Sequence, residues 1–191
     1  MVVALPLVVL LFAVMTWVAA VSQDVAAADV VLRESAALAV KAAASSHDPE
    51  TGEIDFHRAR VRFEKSLRDN LELDGSLKPE KGSPLADRPE YVLILYNGFP
   101  GEDRPAGVRY EFSGGRLTEV EVSQRGFPAT FCLGEGVAVE LDSPGAIAVV
   151  GVYPRRAFRE PALFRRWAAA EVADAGGRRV VVLKKSAGSG A

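Results

Sequence analysis

The chain has 191 residues, of which 49% are hydrophobic and 25% are charged, and its formal net charge is −2 at pH 7. This length is enough for one domain that buries a single core. The balanced charge argues against a nucleic-acid partner, because proteins that bind nucleic acids usually present a strongly basic face. A single cysteine, Cys132, excludes an internal disulfide and therefore a disulfide-framed scaffold.

The chain opens with an apolar run, residues 1–23, that has no charged side chain before Asp24. As a helix, 23 residues span roughly 34 Å, which exceeds the hydrocarbon core of a bilayer at about 30 Å. We therefore expect a transmembrane anchor at 1–23, with the lipid bilayer as a partner. A cleaved secretory signal peptide is one alternative, since Val18 and Ala20 are small residues ahead of a plausible cut, although the run lacks the basic residues that begin such peptides. A buried core helix is the other alternative.

The orientation of this anchor depends on two cations. Arg33 and Lys41 follow the apolar run and no cation precedes it, so the positive-inside rule alone would place the domain in the cytoplasm. The acids Asp24 and Asp29 lie closer to the run. A start flush with the apolar run also suggests either a processed end or a lost basic leader.

Residues 24–75 predict a helical extension of the anchor followed by a second helix. The stretch 24–46 is rich in alanine and has no glycine or proline, so one helix of about 45 residues is expected. Two separate helices that meet near residue 23 are the alternative. Small and apolar residues recur at helical spacing and predict a face for close packing and assembly against another helix or a sheet: Val25, Ala28, Leu32, Ser35, Ala39 and Ala42.

Both histidines of the chain lie in a turn at residues 47–57, together with four acidic residues. Their spacing matches neither the HExxH zinc helix nor the calcium-binding loop, so we expect solvated or helix-capping acids and no metal. Asp55 is placed to cap the next helix, Phe56 to Leu73. The sequence of that helix is amphipathic, so we expect it to pack on a sheet.

A segment at 76–89 contains three prolines and predicts a hinge between the helical part and a sheet domain at 90–185. Beyond the hinge the apolar period changes from 3.6 to 2, which predicts strands. We expect a mainly antiparallel sheet, a hairpin turn at Gly114 and Gly115, and a central strand at Ala146 to Tyr153. The expected fold class is thus α+β.

A C-terminal helix is expected to begin at Pro161 and to turn Leu163, Phe164, Trp167 and Ala168 towards the core. Five arginines in and before it form the one basic, aromatic stretch of the chain: Arg155, Arg156, Arg159, Arg165 and Arg166. Their favoured interpretation is a solvated helix face whose aromatic residues belong to the core. Contact with anionic lipid head groups or an acidic partner is the alternative. The last residues, 186–191, are expected to be a loose tail.

The sequence contains no recognisable catalytic motif. Cys132 lies in an alternating apolar strand, and both histidines are remote in sequence, so a structural cysteine is expected. Glu119 and Glu121 share one strand face and should be exposed to solvent. The turn around Gly134 and Gly136 lacks the following residues of a phosphate-binding loop. We therefore expect no enzyme activity and no cofactor.

The N-terminal 75 residues or so resemble a known class of protein. An apolar N-terminal helix that runs into VVLRESAALAVKAAASS, ahead of a small sheet domain, is similar to type IV pilin-like proteins and closer to TadE-like pilus-assembly proteins. The segment GEIDFHRARVRFEKSLRDNLELDGSL resembles uncharacterised bitopic proteins of Gram-positive bacteria, through Phe63, Leu67, Asn70 and Leu71. No prepilin leader precedes the helix, and Leu5 stands where pilins carry glutamate, which favours the TadE-like comparison.

This resemblance implies a single-pass protein of the bacterial cytoplasmic membrane with its domain on the outer side. It also implies that the long helix assembles with other pilin-like subunits or with copies of itself. The leading hypothesis is therefore a non-enzymatic subunit of a pilus-like or secretion assembly. The alternative is a membrane-tethered extracytoplasmic module that binds a ligand through its sheet domain.

Overall fold

The computed structural model describes residues 4–99, 104–134, 137–155 and 163–184. Within these ranges it contains two helices and eight strands. The helices are α1 (Ala4–Ala44) and α2 (Phe56–Leu71). The strands are β1 (Glu90–Tyr96), β2 (Gly107–Ser113), β3 (Arg116–Glu121), β4 (Ala129–Gly134), β5 (Val137–Leu141), β6 (Gly145–Val152), β7 (Phe164–Asp174) and β8 (Arg179–Lys184).

Helix α1 runs without a break for 41 residues, roughly 60 Å. This confirms one continuous helix through residue 23 rather than two that meet there. The many alanines, and the absence of glycine and of any proline after Pro6, favour this continuity, because alanine loses no side-chain freedom in a helix.

The predicted transmembrane helix is wrong. Across the described residues, no helix combines the length and the apolar character needed to cross a membrane. The part of α1 that follows the apolar run carries the charged residues Asp29, Arg33, Glu34 and Lys41. One face of the same portion is already buried by the protein itself, from Leu32 onward. Length alone was therefore a poor guide to the role of this helix.

Six strands form one antiparallel sheet in the order β3-β2-β1-β6-β7-β8. The expected strands and the central position of β6 are confirmed. The turn between β2 and β3 uses Gly114 and Gly115 at φ 59° and 79°, as predicted for a hairpin. Strands β4 and β5 form a separate hairpin with its own two-stranded pairing.

The expected C-terminal helix from Pro161 is wrong, because Phe164–Asp174 is strand β7, paired with β6 on one side and β8 on the other. Residues 156–162, with Pro161, lie outside the described part of the chain. The alanines of β7 favour a helix intrinsically, but burial in the sheet outweighs that preference. Ala168 and Ala170 lie under α1, where small side chains let the helix approach the sheet.

The two faces of the large sheet are covered by different elements. Helices α1 and α2 cover one face, and their core includes Leu32, Val40, Phe63, Leu93 and Val150. The β4–β5 hairpin covers part of the other face, through Phe131, Val139 and Leu141 packed near Tyr96 and Ile147. The molecule is therefore a three-layer arrangement of helices, sheet and hairpin.

The connections between the helices and the sheet are hydrogen-bonded and carry a few buried side chains. Asp55 caps α2 as predicted, since its carboxylate accepts the Arg58 N–H at 2.9 Å. The helix ends at Leu71, two residues earlier than expected, because Glu72 adopts a left-handed conformation. In the segment 76–89, Leu77, Ser83 and Leu85 are buried and belong to the helix–sheet layer.

Candidate functional site

The small-residue face predicted on α1 is used within the molecule. Leu32, Ser35 and Ala39 are buried between the helix and the rest of the fold, and Ala42 is half-buried. Val25 and Ala28 are among the residues whose side chains the structure does not describe. Close packing therefore does occur on this face, but its partners are α2 and the sheet of the same chain.

A different part of α1 is exposed. Among the described side chains no buried residue precedes Leu32, and Phe12, Met15 and Val18 are 70%, 65% and 53% exposed. We call the portion of α1 from residue 4 to residue 31 the apolar arm. Val14, Val30 and Val31 add to its exposed surface. Large apolar side chains in such numbers on a helix are typical of a surface that is covered in the functional state.

The base of the apolar arm is held to the sheet by charge. The Asp29 carboxylate forms ion pairs with the guanidinium of Arg166 on β7, at 2.5 Å, and with that of Arg33 on α1, at 3.1 Å. An ion pair therefore joins the helix to the sheet at the last turn before the first described buried residue, Leu32. This position could not be predicted from the sequence, because 137 residues separate Asp29 from Arg166.

The predicted arginine patch does not form one surface. Arg165 and Arg166 are neighbours on β7, so their side chains point to opposite faces of the sheet. Arg155 is exposed and its guanidinium approaches the Lys81 carbonyl at 3.5 Å. Arg156 and Arg159 lie outside the described residues. A single basic helix face is therefore wrong for this stretch.

The second exposed feature is a groove of about 400 Å³ on the hairpin side of the sheet. Its floor is a row of side chains from adjacent strands, with Val92 opposite Val149 and Val149 opposite Trp167. One wall is the tip of the hairpin, formed by Leu133 and Val137. We call this site the groove.

Charged side chains lie at the open end of the groove. Glu90 accepts a hydrogen bond from the Ser113 hydroxyl at 3.0 Å, and Arg109 pairs with Glu111 at 3.3 Å. Arg165 faces the groove from β7 and, among the described residues, its guanidinium has no hydrogen-bond or ion-pair partner. The groove therefore combines an apolar floor with a cation that has no ion-pair partner in the part of the chain that the structure describes.

Cys132 is exposed and lines the groove, which corrects the expectation of a buried structural cysteine. The β4 strand alternates as predicted, but Phe131 faces the sheet and Cys132 faces outward. The sequence pattern predicted that successive residues of β4 face opposite sides of the strand. It did not show which of these two sets of residues is buried.

The histidine turn has no metal-site geometry. His47 Nδ1 lies 2.9 Å from the Ala44 carbonyl, and His57 is exposed on α2. Asp48 accepts the backbone N–H groups of Thr51 and Glu50, and these hydrogen bonds lower the pKa of its carboxyl. No group of three or more metal-ligating side chains occurs in the part of the chain that the structure describes. Glu119 and Glu121 are exposed, as predicted.

A polar network joins α2 to the sheet on the opposite side from the groove. The Tyr91 hydroxyl donates to Glu64 at 2.6 Å, and Glu64 also pairs with Arg60 at 2.8 Å. Burial, with the adjacent Glu64 carboxylate, raises the pKa of Tyr91 far above its usual range. Tyr91 therefore donates to Glu64 as a neutral phenol and links α2 to β1.

Sequence reasoning missed the groove. It is formed by β1, β2, β6 and β7 together with the hairpin, and its composition follows from strand order and register. The available signal was the alternation in β2, where Arg109 and Glu111 share the face opposite to Tyr110. When the strands that pair with β2 are not known, that alternation indicates only that Arg109 and Glu111 face solvent.

Comparisons of the chain with family models, with curated proteins and with solved structures found no match.

Proposed function

We propose that the protein is a non-enzymatic subunit of a pilus-like or secretion assembly. In this proposal the apolar arm packs side by side with the same arm of neighbouring copies. The single observation that carries it is the exposure of Phe12, Met15 and Val18 on a helix whose first buried side chain, among those that the structure describes, is Leu32.

The energetics favour burial of the arm. Fully burying one large apolar side chain stabilises by about 1.5–3 kcal/mol, so several such residues from each of two arms offset the cost of association. The fixed base at Asp29 and Arg166 supports the same proposal, because a helix held in one direction loses less freedom when it associates.

The resemblance to TadE-like and other pilin-like proteins supplies the setting of this proposal. The resemblance implies a domain on the outer side of the bacterial cytoplasmic membrane and a helix that assembles with other pilin-like subunits. In this proposal the sheet and the hairpin form the exposed body of the subunit.

The test is disulfide cross-linking between arms of the full chain. Cys132 is first replaced by serine, because its exposed thiol would react, and Met15→Cys is then introduced. Lys41→Cys serves as the matched control, since Lys41 is exposed on the same helix but within the folded body. Copper phenanthroline treatment of cells should give dimers for Met15→Cys and not for Lys41→Cys. Equal cross-linking at the two positions, or none at Met15→Cys, would contradict the proposal.

A further inference from the structure

We propose that the groove binds a monocarboxylate with an apolar body, with Arg165 as the residue that recognises the carboxylate. The proposal goes beyond the assembly role, because the groove and the apolar arm lie on different elements and neither needs the other.

The size and lining of the groove fit a small ligand. A volume of about 400 Å³ lies within the range of small-molecule sites. Val92, Val149 and Trp167 form a continuous apolar row across three neighbouring strands. Trp167 is half-buried, so part of its ring is available for contact. A planar or branched apolar group over this row would be covered on a second side by Leu133 and Val137 of the hairpin.

The charges at the open end select the head group. The Arg109 guanidinium is paired with Glu111, and Arg165 is the cation of the groove that lacks a partner among the described residues. A guanidinium presents two parallel N–H donors, which match a carboxylate better than a neutral group. Arg165 is therefore the expected anchor for the ligand.

Glu90 limits the charge that the ligand can carry. It lies in the same cross-strand row as Arg165, with Gly151 between them, so their backbones are roughly 10 Å apart at the usual strand spacing. A second negative charge on the ligand would approach Glu90 or Glu111. This arrangement favours a single negative charge over a phosphate or a dicarboxylate.

Gly151 keeps the side chain of Arg165 in position. A Cβ at residue 151 would lie 3.0 Å from Leu163 Cδ1 and 3.5 Å from Arg165 Cγ. The missing side chain leaves room for Leu163 and for the aliphatic stem of Arg165 to lie over the sheet.

Two probes separate the sources of such a carboxylate. 4-Phenylbutyrate represents a free small molecule, and N-acetyl-Phe-Val represents the carboxyl end of a peptide, and each is compared with its own amide. Binding to the full chain is followed by Trp167 fluorescence in a Trp17→Phe background, and by protection of Cys132 from alkylation.

The expected result is saturable binding of at least one carboxylate, with the matching amide at least about tenfold weaker. Arg165→Gln should remove that preference, whereas Arg116→Gln, an exposed arginine outside the groove, should keep it. Preference for the peptide alone would identify a chain terminus as the ligand. Equal binding of acid and amide to the unsubstituted groove, no binding of either acid, or an unchanged preference in Arg165→Gln would overturn the proposal.

Discussion

Asn97 shows how much of this fold depends on one buried polar side chain. It follows β1 and is 7% exposed. Its amide accepts the Ile54 N–H at 2.8 Å and donates to the Ile54 carbonyl at 3.0 Å. The side chain thus satisfies both backbone groups of a buried residue in the turn between the helices, in the way that a neighbouring strand would.

Replacing Asn97 with alanine should lower the free energy of unfolding by about 2–3 kcal/mol. The reason is that two buried backbone groups of Ile54 lose their partner, and each such loss costs about 1–3 kcal/mol. Urea unfolding followed by circular dichroism would measure the change.

Asn70→Ala is the matched control, because Asn70 is exposed and bonds only within its own helix, to Ser66. It should change stability by less than about 0.5 kcal/mol. A similar loss in both variants would show that the pairing with Ile54 contributes little.

At the scale of elements, the sequence predicted the helices, strands and turns that form because of local sequence pattern. Alanine-rich composition predicted α1, the Asp55 cap and amphipathic spacing predicted α2, and period-two alternation predicted the strands other than β7. The turn at Gly114 and Gly115 followed from turn chemistry. These features depend on residues that are close together in the chain.

Strand β7 could not be predicted in the same way. Its centre, Trp167 to Ala170, carries three alanines whose intrinsic preference is helical. Its strand conformation is stabilised by hydrogen bonding to both β6 and β8 and by burial under α1. The partners are distant in sequence, so neither the strand nor the groove that Trp167 lines was visible from local pattern.

The packing of α1 on β7 predicts a strong size limit in the strand. Ala170 is fully buried beneath the helix. Substituting leucine there should destabilise the protein by about 1–3 kcal/mol, because the larger side chain forces the helix and the sheet apart. Thermal unfolding of the variant would measure this.

Ala138→Leu on β5 is the corresponding control, since Ala138 is also an alanine in a strand but is exposed. It should have little effect on the unfolding temperature. If Ala170→Leu were as stable as Ala138→Leu, α1 would not be closely packed on β7.

At the scale of the whole molecule, α1 has two roles divided near Leu32. From Leu32 to Ala44 it is part of the core, and before Leu32 its described side chains are exposed or half-buried. The small residues that suggested assembly in the sequence stabilise the fold itself. The exposed apolar residues closer to the N-terminus are the ones that our proposal assigns to assembly.

This division predicts different outcomes for two truncations. Removing residues 1–25 leaves Asp29 and every α1 side chain that the structure describes as buried, so the remaining chain should fold cooperatively. Removing residues 1–46 deletes Leu32, Ala39 and Val40 from the core and should leave the sheet without its cover. Proteolysis resistance of the two truncated chains would show the difference, and equal resistance would contradict the division.

Assembly through the apolar arm is tested most directly by measuring the mass of the protein in a mild, non-denaturing detergent. Light scattering would give this mass for the full chain and for the chain without residues 1–25. If the apolar arm joins the copies, the full chain should form an assembly of several copies and the truncated chain should be a folded monomer. A monomeric full chain, or a truncated chain that assembles equally well, would contradict the proposal that the apolar arm joins the copies.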